Sequence, residues 1–250
     1  MKPKQAVLIL NKKRGETPLG CLNRFKKDNP KYENDKMTYA GRLDPLASGL
    51  LLVLVGEECK NKDKYLGLDK EYEVDVLFGF STDTYDVLGL VKDTSSQSIS
   101  DIKNILPTFV GKFSQKYPAF SSKTVGGEPL FALTKSGGIS EEEIPTKDVE
   151  IKNIELINEK TISKSDLDFF IKDSVALVSG DFRQGEIIES WNKTLNNIKQ
   201  EQFKIISIKV SCTSGTYMRS LANEIGIKIG IPALALNIRR NRVGEYILTK

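Results

Sequence analysis

The alternation of apolar and polar residues predicts strands interleaved with helices along the chain of 250 residues. Apolar runs at residues 6–11 and 50–55 are short and continuous, which is typical of buried strands. Residues 71–78 alternate strictly and place Tyr72, with other apolar side chains, on one face of a strand. Residues 206–212 alternate in the same way. The pattern therefore predicts core-facing strands in both halves of the chain.

Thr17 and Pro18 are a typical pair at a helix start, because threonine caps the helix and proline needs no hydrogen-bond acceptor there. The pair predicts a helix to about residue 27, with Leu19, Leu22 and Phe25 facing inward.

Helical spacing also occurs in the second half of the chain. Residues 165–200 have the pattern of two helices, and we interpret residues 159–202 as an insertion. Apolar residues recur every fourth position from Tyr217, which predicts a helix that begins near Thr216.

The remaining pattern predicts a strand over residues 117–125, a short helix over 129–135, a strand over 149–157 and a final apolar strand. Strands and helices do not alternate regularly, which argues against a doubly wound parallel sheet. We therefore predict an α+β protein with a mostly antiparallel mixed sheet and flanking helices, in one domain over residues 1–250.

Histidine is absent from the sequence, which excludes histidine triads, histidine metal sites and histidine general bases. The three cysteines are too few and too far apart for a disulfide framework or a cysteine zinc site, and they fit a reducing cytoplasm. The sequence shows neither an apolar run of membrane-spanning length nor a signal-peptide pattern. We expect a cytoplasmic protein without a metal or cofactor.

The net charge of +4 is small but unevenly distributed. Residues 1–42 contain eleven basic and four acidic residues, whereas residues 141–190 contain six basic and thirteen acidic residues. Arg239, Arg240 and Arg242 form a second basic cluster. If the two basic regions meet on one face, they attract a polyanion. Charge runs alone fit an ordinary solvated surface as well.

The segment GRLDPLASG, residues 41–49, contains one carboxylate, Asp44, directly before Pro45. Asp followed by Pro is a good pair for a helix N-cap and first turn. The apolar run from Leu50 leaves room for one helical turn at most, which weakens this interpretation. Asp44 is thus a candidate for either a cap or a catalytic carboxylate, and Arg42 is a candidate for binding an anion such as phosphate.

The segment SGTYMR, residues 214–219, has a turn at a helix start, where free N–H groups can cap the helix or bind an anion. Tyr217 is either a core tyrosine or part of a site. Arg219 points to another face, where it either holds a carboxylate in a bidentate pair or lies on the surface. Tyr72 is either a core residue or an aromatic platform for a base.

In this order, these segments resemble the TruB family of tRNA pseudouridine synthases over nearly the whole chain, except residues 159–202. The combination of GRLDPLASG with SGTYMRSLA is specific. Further segments that carry the resemblance are LILNKKRGETP, KEYEVDVLFGFSTDTYDVLG, YPAFSSKTVGGEPLFALTKSGG and ALNIRR. The resemblance implies the pseudouridine synthase fold with a central RNA-binding cleft.

The resemblance also implies roles for single residues. Asp44 matches the catalytic aspartate of the family, Tyr72 the tyrosine that stacks on the target base, and Arg219 the arginine that pairs with the catalytic carboxylate. The candidates for substrate binding, taken together with the basic cluster, are Lys12, Tyr39, Arg42, Asp86, Tyr217, Ile238, Arg239 and Arg240.

Two positions depart from the family pattern. Tyr39 stands where the family has a histidine that helps to position RNA, and Lys13 stands where it has a proline. We also expect this chain to lack the C-terminal RNA-binding (PUA) domain that many bacterial members have.

The implied function is isomerisation of uridine to pseudouridine in the T-loop of tRNA, at position 55, by an aspartate-dependent and cofactor-free reaction. The aspartate acts as a nucleophile or as a base at the sugar. We expect a monomer that binds the T-stem-loop. One alternative is a pseudouridine synthase for ribosomal or other RNA, which Arg42 favours. A second is an RNA-binding or RNA-folding protein without essential catalysis.

Overall fold

The computed structural model describes residues 6–97, 99 and 101–248. Its strands are β1 (Val7–Lys12), β2 (Met37–Ala40), β3 (Ser48–Val55), β4 (Lys70–Phe78), β5 (Phe80–Thr82), β6 (Val91–Thr94), β7 (Gly111–Lys116), β8 (Thr124–Val125), β9 (Glu128–Pro129), β10 (Thr146–Ser163), β11 (Gln202–Cys212), β12 (Ala233–Val243) and β13 (Tyr246–Ile247). Its helices are α1 (Pro18–Asp28), α2 (Lys62–Leu66), α3 (Ile102–Ile105), α4 (Leu130–Ser136), α5 (Lys164–Leu177), α6 (Gln184–Asn197) and α7 (Met218–Ile229). None of the helices in the described part of the chain is long and apolar enough to cross a lipid bilayer.

Nine of the described strands form one sheet, in the order β1-β3-β12-β4-β11-β10-β7, with β2 paired to β3 and β13 paired to β12. The pairs are antiparallel except between β12 and β3, where Arg239 and Arg240 lie beside Ser48 and Gly49 in parallel. The predicted α+β fold with a mostly antiparallel mixed sheet is confirmed.

Helices cover both faces of the central strands β4, β11 and β12. On one face, Val74 of β4 belongs to a cluster that includes Leu221 of α7. On the other face, Leu77 of β4 belongs to a cluster that includes Leu167 of α5 and Trp191 of α6. Full burial of one such side chain contributes about 1.5–3 kcal/mol. The two helical layers therefore fix the strands whose ends carry the site described below.

The N-terminal helix begins as predicted, because the Thr17 hydroxyl accepts a hydrogen bond from the Gly20 amide at 2.9 Å. The inward position of Leu19 is wrong, since this residue is 57% exposed. The helix α1 packs against β1 and β3 through Cys21 and Leu22. Leu19, in the first turn, lies outside this contact and faces the solvent.

The predicted strand over residues 117–125 is also wrong. The strand β7 ends at Lys116, because Pro118 has no N–H with which to continue the ladder. Only Thr124–Val125 pairs again, with Glu128–Pro129 across a tight turn. Residues 117–123 form a loop that borders the site.

The predicted insertion at residues 159–202 contains the last part of β10 and both predicted helices, which are confirmed as α5 and α6. We call residues 164–197 the helical hairpin. Its Trp191 is 1% exposed and donates its indole N–H to the Val87 carbonyl at 3.2 Å. The helical hairpin is therefore part of the hydrophobic core.

Gly49 marks a very close approach between β3 and β12. Its φ is +102°, and a Cβ at this position would lie 2.3 Å from the Arg240 carbonyl oxygen. We predict that Gly49→Ala lowers the free energy of unfolding by more than about 2 kcal/mol, because backbone strain and a backbone clash add up.

Gly56→Ala is the matched control for this prediction. Gly56 also has a positive φ, +62°, but a Cβ there meets no atom within 4 Å. The control should lose only about 1–2 kcal/mol for the left-handed backbone. Urea unfolding of both variants measures the difference, and equal losses would contradict the clash.

Candidate active site

Asp44 lies in the loop between β2 and β3, residues 41–47, which we call the Asp44 loop. The Ala47 amide donates to the Asp44 carbonyl at 3.1 Å and closes a single turn. Because β3 begins at Ser48, this turn leads into a strand and not into a helix that Asp44 could cap. The side chain of Asp44 instead contacts Arg219 of α7.

Arg219 binds both carboxylate oxygens of Asp44. Its Nε donates to Oδ2 at 2.8 Å, and its Nη2 donates to Oδ1 at 3.1 Å. The remaining donors bind the Thr84 carbonyl at 2.9 Å and the Phe120 carbonyl at 3.3 Å. The Arg219 side chain is 5% exposed, whereas that of Asp44 is 34% exposed. The pair thus presents a carboxylate, and not its counter-ion, to the solvent.

Asp86 supports this pair from behind. Its Oδ2 lies 3.8 Å from Arg219 Nε, while its Oδ1 accepts hydrogen bonds from the Thr84 hydroxyl and the Leu88 amide. Burial raises the pKa of Asp86, and the Arg219 cation opposes this shift. Burial of Arg219 by itself lowers its pKa, but Asp44 and Asp86 outweigh burial and raise it. Asp86, a predicted substrate contact, thus has its carboxylate beside Arg219.

Asp44 separates two cavities. The first has a volume of about 590 Å³ and contains Tyr72, Ile238, Tyr217 and the turn before α7. The second has a volume of about 450 Å³ and is bordered by loop residues 120–122 and the tip of the helical hairpin. Residues that line both are Tyr39, Arg42, Leu43, Asp44 and Ser122. The Asp44 side chain, which is 34% exposed, therefore lines both cavities.

Aromatic rings line the first cavity. Tyr72 is 8% exposed, and burial raises its pKa. Ile238 lies on the neighbouring strand β12 and is also 8% exposed. The rings of Tyr117 and Tyr217 pack edge to face, with their centroids 5.5 Å apart. The structure thus brings the predicted residues Tyr72, Tyr217 and Ile238 into one cavity with Asp44.

Basic side chains surround the same cavity. Arg42 is exposed at the edge of the cleft, and Lys147 donates to the Ser214 carbonyl of the turn before α7 at 3.0 Å. Burial lowers the pKa of Lys70 to about 8. Lys62 and Lys123 complete the basic lining. These four lysines come from separate elements and form no motif, so the sequence does not predict them as site residues.

Lys12 and Arg240 differ from the other predicted substrate contacts, because both are almost fully buried behind the Asp44 loop. The Lys12 ammonium donates to the carbonyls of Lys13, Pro45 and Ala47 at 2.5–3.1 Å. Burial lowers its pKa to about 8. The predicted substrate contact of Lys12 is therefore corrected: with 0% exposure, its ammonium holds the Asp44 loop.

Arg240 holds the other end of this loop. Its donors bind the carbonyls of Leu50 at 2.8 Å, Gly41 at 3.0 Å and Arg42 at 3.3 Å. Arg239 lies on the opposite face of β12, bonds to Asn241 and lines neither cavity. Arg240 lines the first cavity, whereas Arg239 does not, since β-strand neighbours point in opposite directions.

Gln115 is a site residue that the sequence analysis missed. It is 2% exposed, accepts the Tyr217 amide at 2.8 Å and donates to the Tyr217 carbonyl at 3.2 Å. The sequence feature that could have indicated this role is a polar residue at an inward-facing position of β7. Thr84 and Phe120 carried no such signal, because they bind Arg219 through backbone carbonyls. The described residues contain no group of three or more His, Cys, Asp or Glu side chains placed to hold a metal ion.

We predict that Arg240→Met lowers the free energy of unfolding by about 2–4 kcal/mol, because one buried and two partly buried carbonyls lose their donor. Arg239→Met, one residue earlier on the same strand, is the matched control and should cost less than about 1 kcal/mol. Urea unfolding compares the two. Equal effects would mean that the carbonyl contacts of Arg240 contribute nothing specific.

The chain has sequence relatives among known enzymes. The family profile described as "TruB family pseudouridylate synthase (N terminal domain)" matches residues 29–175. "tRNA pseudouridine synthase B" of Borreliella burgdorferi (strain ZS7) is 29% identical over 243 residues, which cover 96% of this chain and 70% of the relative. The protein of the same name from Blochmanniella pennsylvanica (strain BPEN) is 31% identical over 245 residues. This match covers 96% of this chain and 75% of the relative.

Solved structures share the fold. "Crystal Structure of a Cbf5-Nop10-Gar1 Complex" has a TM-score of 0.58 at 18% identity, and "Structure of H/ACA RNP bound to a substrate RNA containing 2'-deoxyuridine" has a TM-score of 0.54 at 17% identity. Each match covers 96% of this chain and about half of the solved chain, 49% and 48%. These likenesses confirm the pseudouridine synthase fold. The profile match over more than half of the chain, together with the two relatives, establishes that this chain belongs to the TruB family of pseudouridylate synthases.

Proposed function

We propose that this chain isomerises uridine to pseudouridine in the T-loop of tRNA, with Asp44 as the group that acts at the ribose. The observation that carries the proposal is the bidentate pair of Asp44 with buried Arg219, beside a basic cavity that contains Tyr72. A reaction at a sugar carbon needs an oriented and accessible carboxylate. The relatives named tRNA pseudouridine synthase B support tRNA as the substrate.

The reaction can proceed with an oriented carboxylate and the cation that holds it. The bond between C1′ of the ribose and N1 of uracil breaks, the base turns, and C1′ bonds to C5. C5 loses its proton and N1 gains one, so the product is an isomer and no electron is transferred. Asp44 promotes the departure of uracil as a nucleophile or as a base at the sugar, and Arg219 fixes both carboxylate oxygens for either route.

A uridine in a folded loop must leave its stack to reach Asp44. The first cavity has a volume of about 590 Å³, within the range of small-molecule sites. Its Tyr72 ring offers a stacking face, and Ile238 offers an apolar contact. Stacking of a base on an aromatic side chain contributes about 1–3 kcal/mol, which offsets part of the cost of extrusion.

The basic lining of this cavity matches an RNA backbone. Arg42, Lys62, Lys123 and Lys147 lie around the site and attract phosphates, so binding should weaken as the salt concentration rises. Tyr39 contributes an aromatic ring to RNA binding. The Lys62 ammonium lies 5.7 Å from the centroid of this ring. An aromatic ring beside a lysine can stack on a base while the lysine contacts a phosphate.

We also infer how the protein is organised. Residues 1–250 act as one catalytic domain that binds the T-stem-loop as a monomer. The reaction requires no redox cofactor, because uracil departs as a reasonable leaving group and returns to the same sugar.

We predict that Asp44→Asn lowers the rate of pseudouridine formation by at least about 1,000-fold, the scale on which removal of a catalytic nucleophile acts. The variant keeps the shape of the side chain, and Asp86 remains near Arg219 as a counter-charge. Release of tritium from a T-stem-loop RNA with 5-³H-uridine measures the rate. Asp28→Asn, an exposed carboxylate at the end of α1, is the control and should react like the wild type. A fully active Asp44→Asn would overturn the proposed role.

The substrate assignment has its own test, because Arg42 favours an enzyme for ribosomal or other RNA. We predict faster reaction of a T-stem-loop RNA than of uridine-containing ribosomal RNA fragments at equal concentration. Pseudouridine mapping on total RNA, incubated with the wild type or with Asp44→Asn, identifies all targets. Modification confined to ribosomal RNA would replace tRNA as the substrate, and no modification anywhere would favour an RNA-binding protein.

A further inference from the structure

The helical hairpin reaches the catalytic centre through Arg183, at the start of α6. The Arg183 side chain is 16% exposed, and its Nη1 donates to Asp83 Oδ2 at 2.8 Å. The guanidinium carbon also lies 4.2 Å from the centre of the Phe120 ring. One largely buried arginine therefore joins the hairpin to two segments that are distant in the sequence.

These two segments are the ones that orient Arg219. Thr84, which follows Asp83, accepts a hydrogen bond from Arg219 Nη1 through its carbonyl. Phe120 accepts one from Nη2 through its carbonyl. Arg183 thus touches Phe120 itself and the residue next to Thr84, the two residues whose carbonyls bind Arg219.

The loop that carries Thr84 has further supports. The Asp83 carboxylate accepts a hydrogen bond from the Leu90 amide at 2.8 Å. Two further bonds join this region to α6: the Trp191 indole donates to the Val87 carbonyl, and the Val91 amide donates to the Ser190 hydroxyl.

Residues 117–123 around Phe120 belong to no helix or strand. The loop is held to α4 by the Phe131 amide, which donates to the Ser121 carbonyl at 3.1 Å, and by the Thr134 hydroxyl, which donates to the Ala119 carbonyl at 3.0 Å. The stacking of Arg183 on Phe120 adds a side-chain contact between this loop and the Asp83 segment.

The backbone of Arg183 is strained at this point. Its φ is +60° and its ψ is +34°, a left-handed conformation that glycine or asparagine adopts more easily. Strained residues persist where the surrounding contacts fix them, and they cluster at functional sites. In this conformation the guanidinium contacts both Asp83 and Phe120.

We propose that Arg183 is a positioning residue for the reaction: it fixes the Thr84 and Phe120 carbonyls, and through them the Arg219 guanidinium that orients the Asp44 carboxylate. The inference rests on the proposed function for the identity of the reaction. Arg183 itself touches no reacting atom. Small displacements of a catalytic group lower the rate strongly, so the effect should fall on turnover rather than on RNA affinity.

The test uses Arg183→Gly and Arg183→Lys in the full chain. Glycine removes the guanidinium and relieves the backbone strain, so the variant should stay folded, with an unfolding midpoint close to that of the wild type. We expect its single-turnover rate at saturating enzyme to fall by about 10–100-fold, with the Kd for T-stem-loop RNA changed by less than about 3-fold. Lysine keeps the charge beside Asp83 but cannot stack as a planar group, and it should give an intermediate rate.

Two controls separate positioning from a general structural effect. Lys172→Met removes an ion-paired cation from the same helical hairpin, at a 48% exposed position that contacts Asp168, and it should leave the rate unchanged. Guanidinium at low concentration should restore part of the rate of Arg183→Gly and none for Lys172→Met. The Nε–H resonance of Arg219, observed by NMR without substrate, should shift or broaden in Arg183→Gly.

The outcomes distinguish this inference from the proposed function. If the wild type forms no pseudouridine in any RNA, the proposed function fails, while the NMR resonance still reports on the positioning of Arg219. If the wild type is active and Arg183→Gly keeps its saturated rate, the inference is wrong. A weaker Kd with an unchanged saturated rate would also overturn it, because Arg183 would then be an RNA contact.

Discussion

The ion pair between Asp44 and Arg219 is the interaction on which the rest of the site depends. Removing a guanidinium from water costs several kcal/mol, and the cost is recovered only when every donor has a partner. Arg219 donates four hydrogen bonds, two to Asp44 and one each to the Thr84 and Phe120 carbonyls, and the Asp86 carboxylate lies 3.8 Å from its Nε. Satisfying one buried cation therefore brings together the Asp44 loop, the turn after β5, the loop after β7 and the helix α7.

The Asp44 loop is held in an unusual way. Loops normally lie on the surface and offer their backbone carbonyls to water. Here Lys12 and Arg240 bind five carbonyls between Gly41 and Leu50 from behind, at 0% and 1% exposure of the two cations. Fixed protein donors replace mobile water, so the loop keeps one conformation before a substrate arrives. Such preorganisation lowers the cost of aligning a carboxylate with a sugar carbon.

The sequence predicted the elements better than the contacts between them. Period-two and period-four patterns predicted β4, β11 and α7, because burial on one face of a strand or helix leaves a direct trace in the residues. The motifs placed Asp44, Tyr72 and Arg219 in one cleft through the resemblance, and the geometry agrees with that placement. The resemblance implied a substrate contact for Lys12, and the sequence does not show that buried carbonyls of a distant loop surround its ammonium.

The order of contacts along the chain has a consequence for biosynthesis. Asp44 and Arg219 are separated by 175 residues, and Gly41 and Arg240 by 199. Contacts between such distant residues form late, because long loops must close first. A ribosome adds about 5–20 residues per second, so many seconds pass between the synthesis of the Asp44 loop and that of Arg219 and Arg240. A nascent chain therefore carries Asp44 before the arginines that bind its carboxylate and its loop exist, and these contacts form only after residue 240 has emerged.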